Sequence, residues 1–177
     1  MRQQIKLQSV CFQNKNLFFN MMDKYIYDLS GYEKTDVMND GKFDISEFQK
    51  YLRSDKYKAF IIFFDCNPAG IVAYSRRFSG QGWIIDLTEL FVMHRYRNKG
   101  ISTYVISFLL SKLHGVWRVD FHPKNMVARI FWINFVDNYS DGKFKLLKNN
   151  KQRCYPDGTP SYTVIFQNID ANIKINT

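Results

Sequence analysis

Apolar residues along this chain change their spacing several times, and each change predicts a new element. Leu17, Phe18, Met21, Met22, Tyr25, Ile26 and Leu29 recur at steps of three and four, which is one apolar face of a helix. Gly31 offers that helix a C-terminal stop. Ile5 to Phe12 reads as a strand before it, and Ile45 to Leu52 as a short helix after it. Two runs rich in β-branched and aromatic residues follow, Tyr57 to Phe64 and Ile71 to Phe78. The stretch Asp65-Cys66-Asn67-Pro68-Ala69-Gly70 between them has hairpin composition. After the turn Ser79-Gly80-Gln81-Gly82 comes a long strand, Trp83 to Met93. Helical spacing returns over Ile101 to Leu113, Val116 to Phe121 reads as a strand, and Asn125 to Phe135 as a helix. Lys143 to Leu147 and Tyr162 to Gln167 are the last strands.

This order predicts an α+β, three-layer architecture. The sheet is mixed but mostly antiparallel, of about seven strands, with helices on both faces. The strand–helix–strand unit from Trp83 to Phe121 is expected to be the one parallel crossover. At 177 residues, with 46% hydrophobic and 17% aromatic residues, the chain is read as a single domain, 1–177, with a full core. Such aromatic content excludes a disordered chain. Met1 to Lys6 carries no apolar leader segment, and the longest apolar run, Ala59 to Phe64, is far short of a membrane span. Three widely spaced cysteines fit reduced thiols, so a cytoplasmic location and no membrane association are expected.

The net charge of +9 changes little, because the basic residues are scattered. The densest cluster is Arg95, Arg97 and Lys99, and it sits on a glycine turn, Arg97-Asn98-Lys99-Gly100-Ile101-Ser102. That turn joins the Trp83 strand to the Ile101 helix. A glycine at such a junction bares the N–H groups of a helix start, a ready anion site. A phosphate ligand accounts for the cluster without nucleic acid. The Walker and dinucleotide patterns are both absent here.

The stretch Glu89 to Phe135 resembles the GNAT superfamily of CoA-dependent N-acyltransferases. Arg97, Gly100 and Ser102 match its Arg/Gln-x-x-Gly-x-Gly/Ala motif, with serine at the final position. Asn125 to Trp132 matches its Asn-x-x-Ala helix motif. Phe91-Val92, Tyr96 to Gly100, Gly115-Val116-Trp117 and Asn125 to Trp132 together resemble a subgroup of small predicted acetyltransferases. The resemblance implies acetyl-CoA as acyl donor and transfer to a primary amine. It implies cofactor contacts from Phe91, Val92, Arg97, Asn98, Lys99, Gly100, Ile101, Ser102, Asn125 and Trp132. Asn125 equally suits a helix N-cap.

An ammonium must lose a proton before it attacks a thioester, and a carboxylate in a partly apolar cleft suits that task. Glu89, two residues before Phe91, is where the family often carries such a base, with Asp86 as second choice. A carboxylate paired with a surface lysine is the competing reading of Glu89. The family's usual acid, a tyrosine one position after Phe131, is replaced by Trp132, whose indole is no acid. Tyr139 substitutes only if the helix turns back before it. Hence a non-catalytic CoA-binding module of the same fold is the alternative reading.

Asp36 to Glu47 resembles a calcium loop, but Met38 stands at a ligand position. A polar loop, with Asp44 and Glu47 capping the Ile45 helix, is preferred, and no metal is expected. The acceptor is open between small-molecule and protein amines, and the chain between monomer and homodimer. Tyr25, Tyr27, Tyr32 and Tyr51 are candidates for an aromatic acceptor wall.

Overall fold

The computed structural model describes residues 4–168. Residues 1–3, which begin the segment inspected for a leader, and residues 169–177 lie outside the described residues. In chain order the elements are β1 (Ile5–Ser9), α1 (Lys15–Glu33), α2 (Lys50–Arg53), β2 (Tyr57–Phe64), β3 (Asn67–Phe78), β4 (Trp83–Val92), α3 (Ile101–Leu110), β5 (Gly115–Phe121), α4 (Met126–Ser140), β6 (Phe144–Cys154) and β7 (Pro160–Asn168). The strands form one seven-stranded sheet in the order β1-β2-β3-β4-β5-β7-β6. Among the described residues only β4 and β5 pair in parallel, as the crossover through α3 predicts.

Helices cover both faces. Phe18, Met21, Met22 and Ile26 of α1, with Tyr51 of α2, pack on Ala59, Ile61, Ile71, Ala73 and Phe91. On the other face Ile101, Val105, Ile106 and Leu109 of α3, with Trp132 and Val136 of α4, meet Leu87, Val92, Trp117 and Val119. Burial of these two apolar layers is the main drive for the fold.

Element ends differ from the sequence reading for local reasons. The α1 helix passes through Gly31, where a side chain would meet open space, and stops at Lys34 in the left-handed conformation, φ 56°. The Ile45 helix is a 3-10 turn, Ser46–Gln49, followed by α2. Asp44 makes no capping box; its Oδ1 accepts the Ser46 N–H at 2.8 Å in a local turn. The β2–β3 hairpin is tighter than its composition suggests. Asp65 and Cys66 both take positive φ, 47° and 68°, and close a two-residue turn. Pro68 then lies inside β3, beside a bulge where its missing N–H does no harm. The α4 helix runs beyond Phe135 to Ser140, because Val136 continues its buried face.

Candidate functional site

Paired strands usually alternate their side chains between the two faces of a sheet. In β4, Ile85 and Leu87 face α3 and α4, and so do Leu90 and Val92. Parity therefore switches between Leu87 and Leu90. The switch is a β-bulge: Leu87 pairs with Tyr74 and Glu89 with Ala73, which leaves Thr88 without an opposite residue. Without the bulge Glu89 would share the face of Ile85 and Leu87. With it, Glu89 turns toward α1 and α2.

The same strand opens a gap in the sheet. Parallel pairing of β4 with β5 runs only from Ile84–Val116 to Leu87–Val119. Beyond that, Thr88–Val92 and Asp120–Phe121 have no pairing with each other. At the closed end Gly115 lets the strands touch; a Cβ there would lie 2.3 Å from the Trp83 carbonyl oxygen. A cleft of about 590 Å³ occupies the open end.

One end of this cleft is the start of α3. Gly100 takes φ 71°, a left-handed value that glycine accepts at little cost, and a Cβ there would meet nothing within 4 Å. No side chain caps the helix, so its first-turn N–H groups lack a side-chain partner, and Ile101, Ser102 and Thr103 all line the cleft. Asn98 and Gly100 also line it, whereas Lys99 does not; its ammonium lies over the Phe64 ring, 5.3 Å from the centroid. Arg97 lines the cleft and is anchored at the turn. Its Nε donates to the Val92 carbonyl at 2.8 Å, and Nη2 to Asp28 Oδ2 at 2.7 Å. Arg97 thereby ties the turn to α1, helped by His94 Nε2 at 3.0 Å from Asp28 Oδ1. Arg95 lies over the Tyr96 ring. Phe91 and Val92 line the cleft along β4, and Asn125 and Trp132 line it from α4. Asn125 is also the N-cap: its Oδ1 accepts the Ala128 N–H at 3.0 Å.

Glu89 is half-buried in the cleft wall and has no lysine or arginine partner among the described residues. Its Oε1 accepts a hydrogen bond from Tyr51 at 2.7 Å. Burial raises its pKa to about 7, against the opposing effects of the Tyr51 hydrogen bond and of Lys50. Asp86 is committed elsewhere. Arg118 grips it from Nε at 2.7 Å and Nη2 at 3.0 Å, and Arg153 adds a contact at 3.0 Å. An acid so paired is a structural anion. Trp132 is 4% exposed and packs on Phe131 and Phe135. The helix does not turn back before Tyr139, whose hydroxyl donates to Asn168 Oδ1 away from the cleft.

Of the four tyrosines expected at an acceptor wall, Tyr25 and Tyr32 line the cleft. Tyr27 is 73% exposed, and Tyr51 lies beneath the wall. Sequence reasoning missed Asp28, His122 and Tyr155, which also line it. Burial holds the Tyr25 and Tyr155 phenols well above the usual tyrosine range. His122 is held below the ordinary histidine value, chiefly by burial. Tyr155 sits between β6 and β7 in no local motif, and only the long-range pairing of β5 with β7 brings it here.

In the loop resembling a calcium site, Asp40 and Asp44 bond to the backbone N–H groups of Lys42 and Ser46. Among the described residues, no group of three or more His, Cys, Asp and Glu side chains is placed to hold a metal ion. No helix among them is long and apolar enough to cross a membrane.

No family model and no curated protein matches the chain. Solved structures do. A Bacteroides thetaiotaomicron protein described as a GNAT-family acetyltransferase aligns with a TM-score of 0.62 at 17% identity, covering 94% of this chain and 89% of that one. NAA60 of Arabidopsis thaliana, in complex with a bisubstrate analogue, aligns at 0.62 and 13% identity, over 93% of this chain and 98% of its own. The Escherichia coli ribosomal-protein-S18-alanine N-acetyltransferase aligns at 0.62 and 10% identity, over 98% of this chain and 100% of its own. The seven-stranded mixed sheet with its four helices has the fold of the GNAT acyl-CoA N-acyltransferases.

Proposed function

We propose that this protein transfers an acetyl group from acetyl-CoA to a primary amine, with Glu89 as general base. One observation carries the reading: an uncapped helix start and a half-buried carboxylate of pKa about 7 face the same cleft, opened by the split of β4 from β5. The residues present fit the cofactor. The vacant side of Gly100 leaves room for a pyrophosphate on the N–H groups of Ile101, Ser102 and Thr103. The β4 edge at Phe91 and Val92 is free of β5 and faces the pantetheine arm, although the Val92 carbonyl already accepts from Arg97, with Asn125 and Trp132 on the far side. Arg97, on the cleft lining, and Lys99, outside it, contribute positive charge near the turn.

Bound acetyl-CoA supplies a thioester carbonyl open to attack. Glu89 takes the proton of the incoming ammonium, directly or through one water, and frees its lone pair. A thiolate of pKa about 8.5 leaves without a strong acid. Tyr25 and Tyr155 offer neutral O–H donors on the cleft wall, where Trp132 offers none to the reaction. The acceptor is a small-molecule or protein amine that enters beside Tyr25, Tyr32 and Tyr155.

The absence of a tyrosine from the cleft side of α4 favours one competitor, a CoA-binding module without catalysis. Calorimetric titration tests the part that both readings share. Acetyl-CoA is expected to bind the wild type and to lose at least tenfold in affinity with Gly100→Glu, which adds strain and negative charge at the cradle. Equal affinity for the two proteins contradicts the assigned site.

A further inference from the structure

Adjacent residues in a regular strand point to opposite faces, yet Thr88 and Glu89 both reach one phenol. Tyr51 Oη lies 2.8 Å from Thr88 Oγ1 and 2.7 Å from Glu89 Oε1. The bulge at Thr88 makes this convergence possible. A phenol has one proton and a carboxylate only accepts, so Tyr51 donates to Glu89 and Thr88 donates to Tyr51. The Tyr51 ring is 5% exposed and held edge-on by Phe18 and Tyr57, at 5.8 Å each. Its hydroxyl therefore has a fixed position beneath the cleft wall.

We propose that Tyr51 and Thr88 form a clamp that holds the Glu89 carboxylate in one orientation at the cleft wall. The proposal rests on the reading of Glu89 as the base, and it assigns positioning roles to Tyr51, beneath the cleft wall, and to Thr88, which lines it. It also gives a purpose to the segment before β2. The 3-10 turn and α2 deliver Tyr51, and with it Lys50, to the underside of β4.

The clamp acts on charge as well as on geometry. A hydrogen bond to the ionised form favours that form, so Tyr51 opposes the burial that raises Glu89. The other groups facing Glu89 are Lys50, which also favours the anion, and Glu47 and Glu33, which disfavour it. Glu89 in turn raises the neighbouring phenols Tyr25 and Tyr155. Removing the Tyr51 hydroxyl leaves Lys50 alone against burial and like charge, and the Glu89 midpoint rises.

The test is a carbon-13 NMR titration of protein labelled at the glutamate carboxyl carbon, the Glu89 signal being identified by its loss in Glu89→Gln. Tyr51→Phe keeps the packed ring and is expected to raise the Glu89 midpoint by about one unit. Thr88→Val, of similar shape, is expected to raise it by less. If neither variant moves the midpoint, the clamp is refuted. The pH–rate profile is then measured on the same proteins. A matching rise in its acid limb supports clamp and base together. A shifted NMR midpoint with an unshifted rate profile upholds the clamp and removes Glu89 as the base.

Discussion

Two carboxyls on the α1 side of the sheet sit far above the ordinary glutamate range. Glu89 and Glu33 both reach about 7, each chiefly because burial disfavours the anion. In a folded protein such groups hold protons that the unfolded chain has released, so the native state binds more protons between about pH 4.5 and 7. Their contribution is therefore neutral in acid and turns unfavourable as pH rises through that window. Glu33 is 8% exposed and has Asp157 and Glu47 as its nearest like charges. Glu33→Gln removes the penalty. We expect thermal unfolding to show the variant more stable than wild type by on the order of 2–3 kcal/mol at pH 8, and not at pH 4.5. Asp86 is held by arginines instead. Asp86→Asn leaves Arg118 without its carboxylate, while Arg153 keeps Asp120, and urea unfolding is expected to show a loss of about 3 kcal/mol. The residue types at the site were legible in the sequence, and their roles less so. Nothing local distinguishes Glu89 from Asp86; the two arginines that claim Asp86 come from β5 and β6.

Among elements, β4 matters most to the site. Its apolar positions, Ile85 and Leu87 and then Leu90 and Val92, shift parity across Thr88-Glu89. That shift marks the bulge in the sequence itself, although a plain reading of Trp83 to Met93 as one strand passes over it. Gly115 clamps the closed end of the split. Gly115→Ala would place a methyl group 2.3 Å from the Trp83 carbonyl oxygen and strain a residue at φ 142°. A loss of more than about 2 kcal/mol in urea unfolding is expected, with weakened acetyl-CoA binding, because the start of β5 must move. The turn before α3 shows a different limit of sequence reading. Arg97 belongs to the recognised motif, but its guanidinium secures the turn to Asp28 on α1. Only the fold reveals that partner, 69 residues away. Asp28→Asn is accordingly expected to raise the KM for acetyl-CoA several-fold, while the midpoint of the pH–rate profile stays fixed.

At the scale of the whole molecule, apolar periodicity placed a segment on each α-helix and strand of the described residues, though it ended β6 at Leu147 where the strand runs to Cys154, and the order of elements identified the one parallel pair among them. Element ends were misplaced where backbone chemistry overrides side-chain pattern: the two-residue turn at Asp65-Cys66, the left-handed stop at Lys34, and the local turn at Asp44. The far wall of the cleft was not legible, because Tyr155 joins it only through the pairing of β5 with β7, and His122 through the place of β5 beside β4. The central claim is that this cleft brings acetyl-CoA, an amine and Glu89 together. It is tested most directly by the rate of free thiol release from acetyl-CoA across a panel of amines, measured from pH 6 to pH 9 for wild type and Glu89→Gln. Release is expected to depend on the amine, to rise through pH of about 7 in the wild type, and to fall at least ~100-fold in the variant. Release no faster with any amine than without, or a variant as active as wild type with the same pH profile, contradicts that claim.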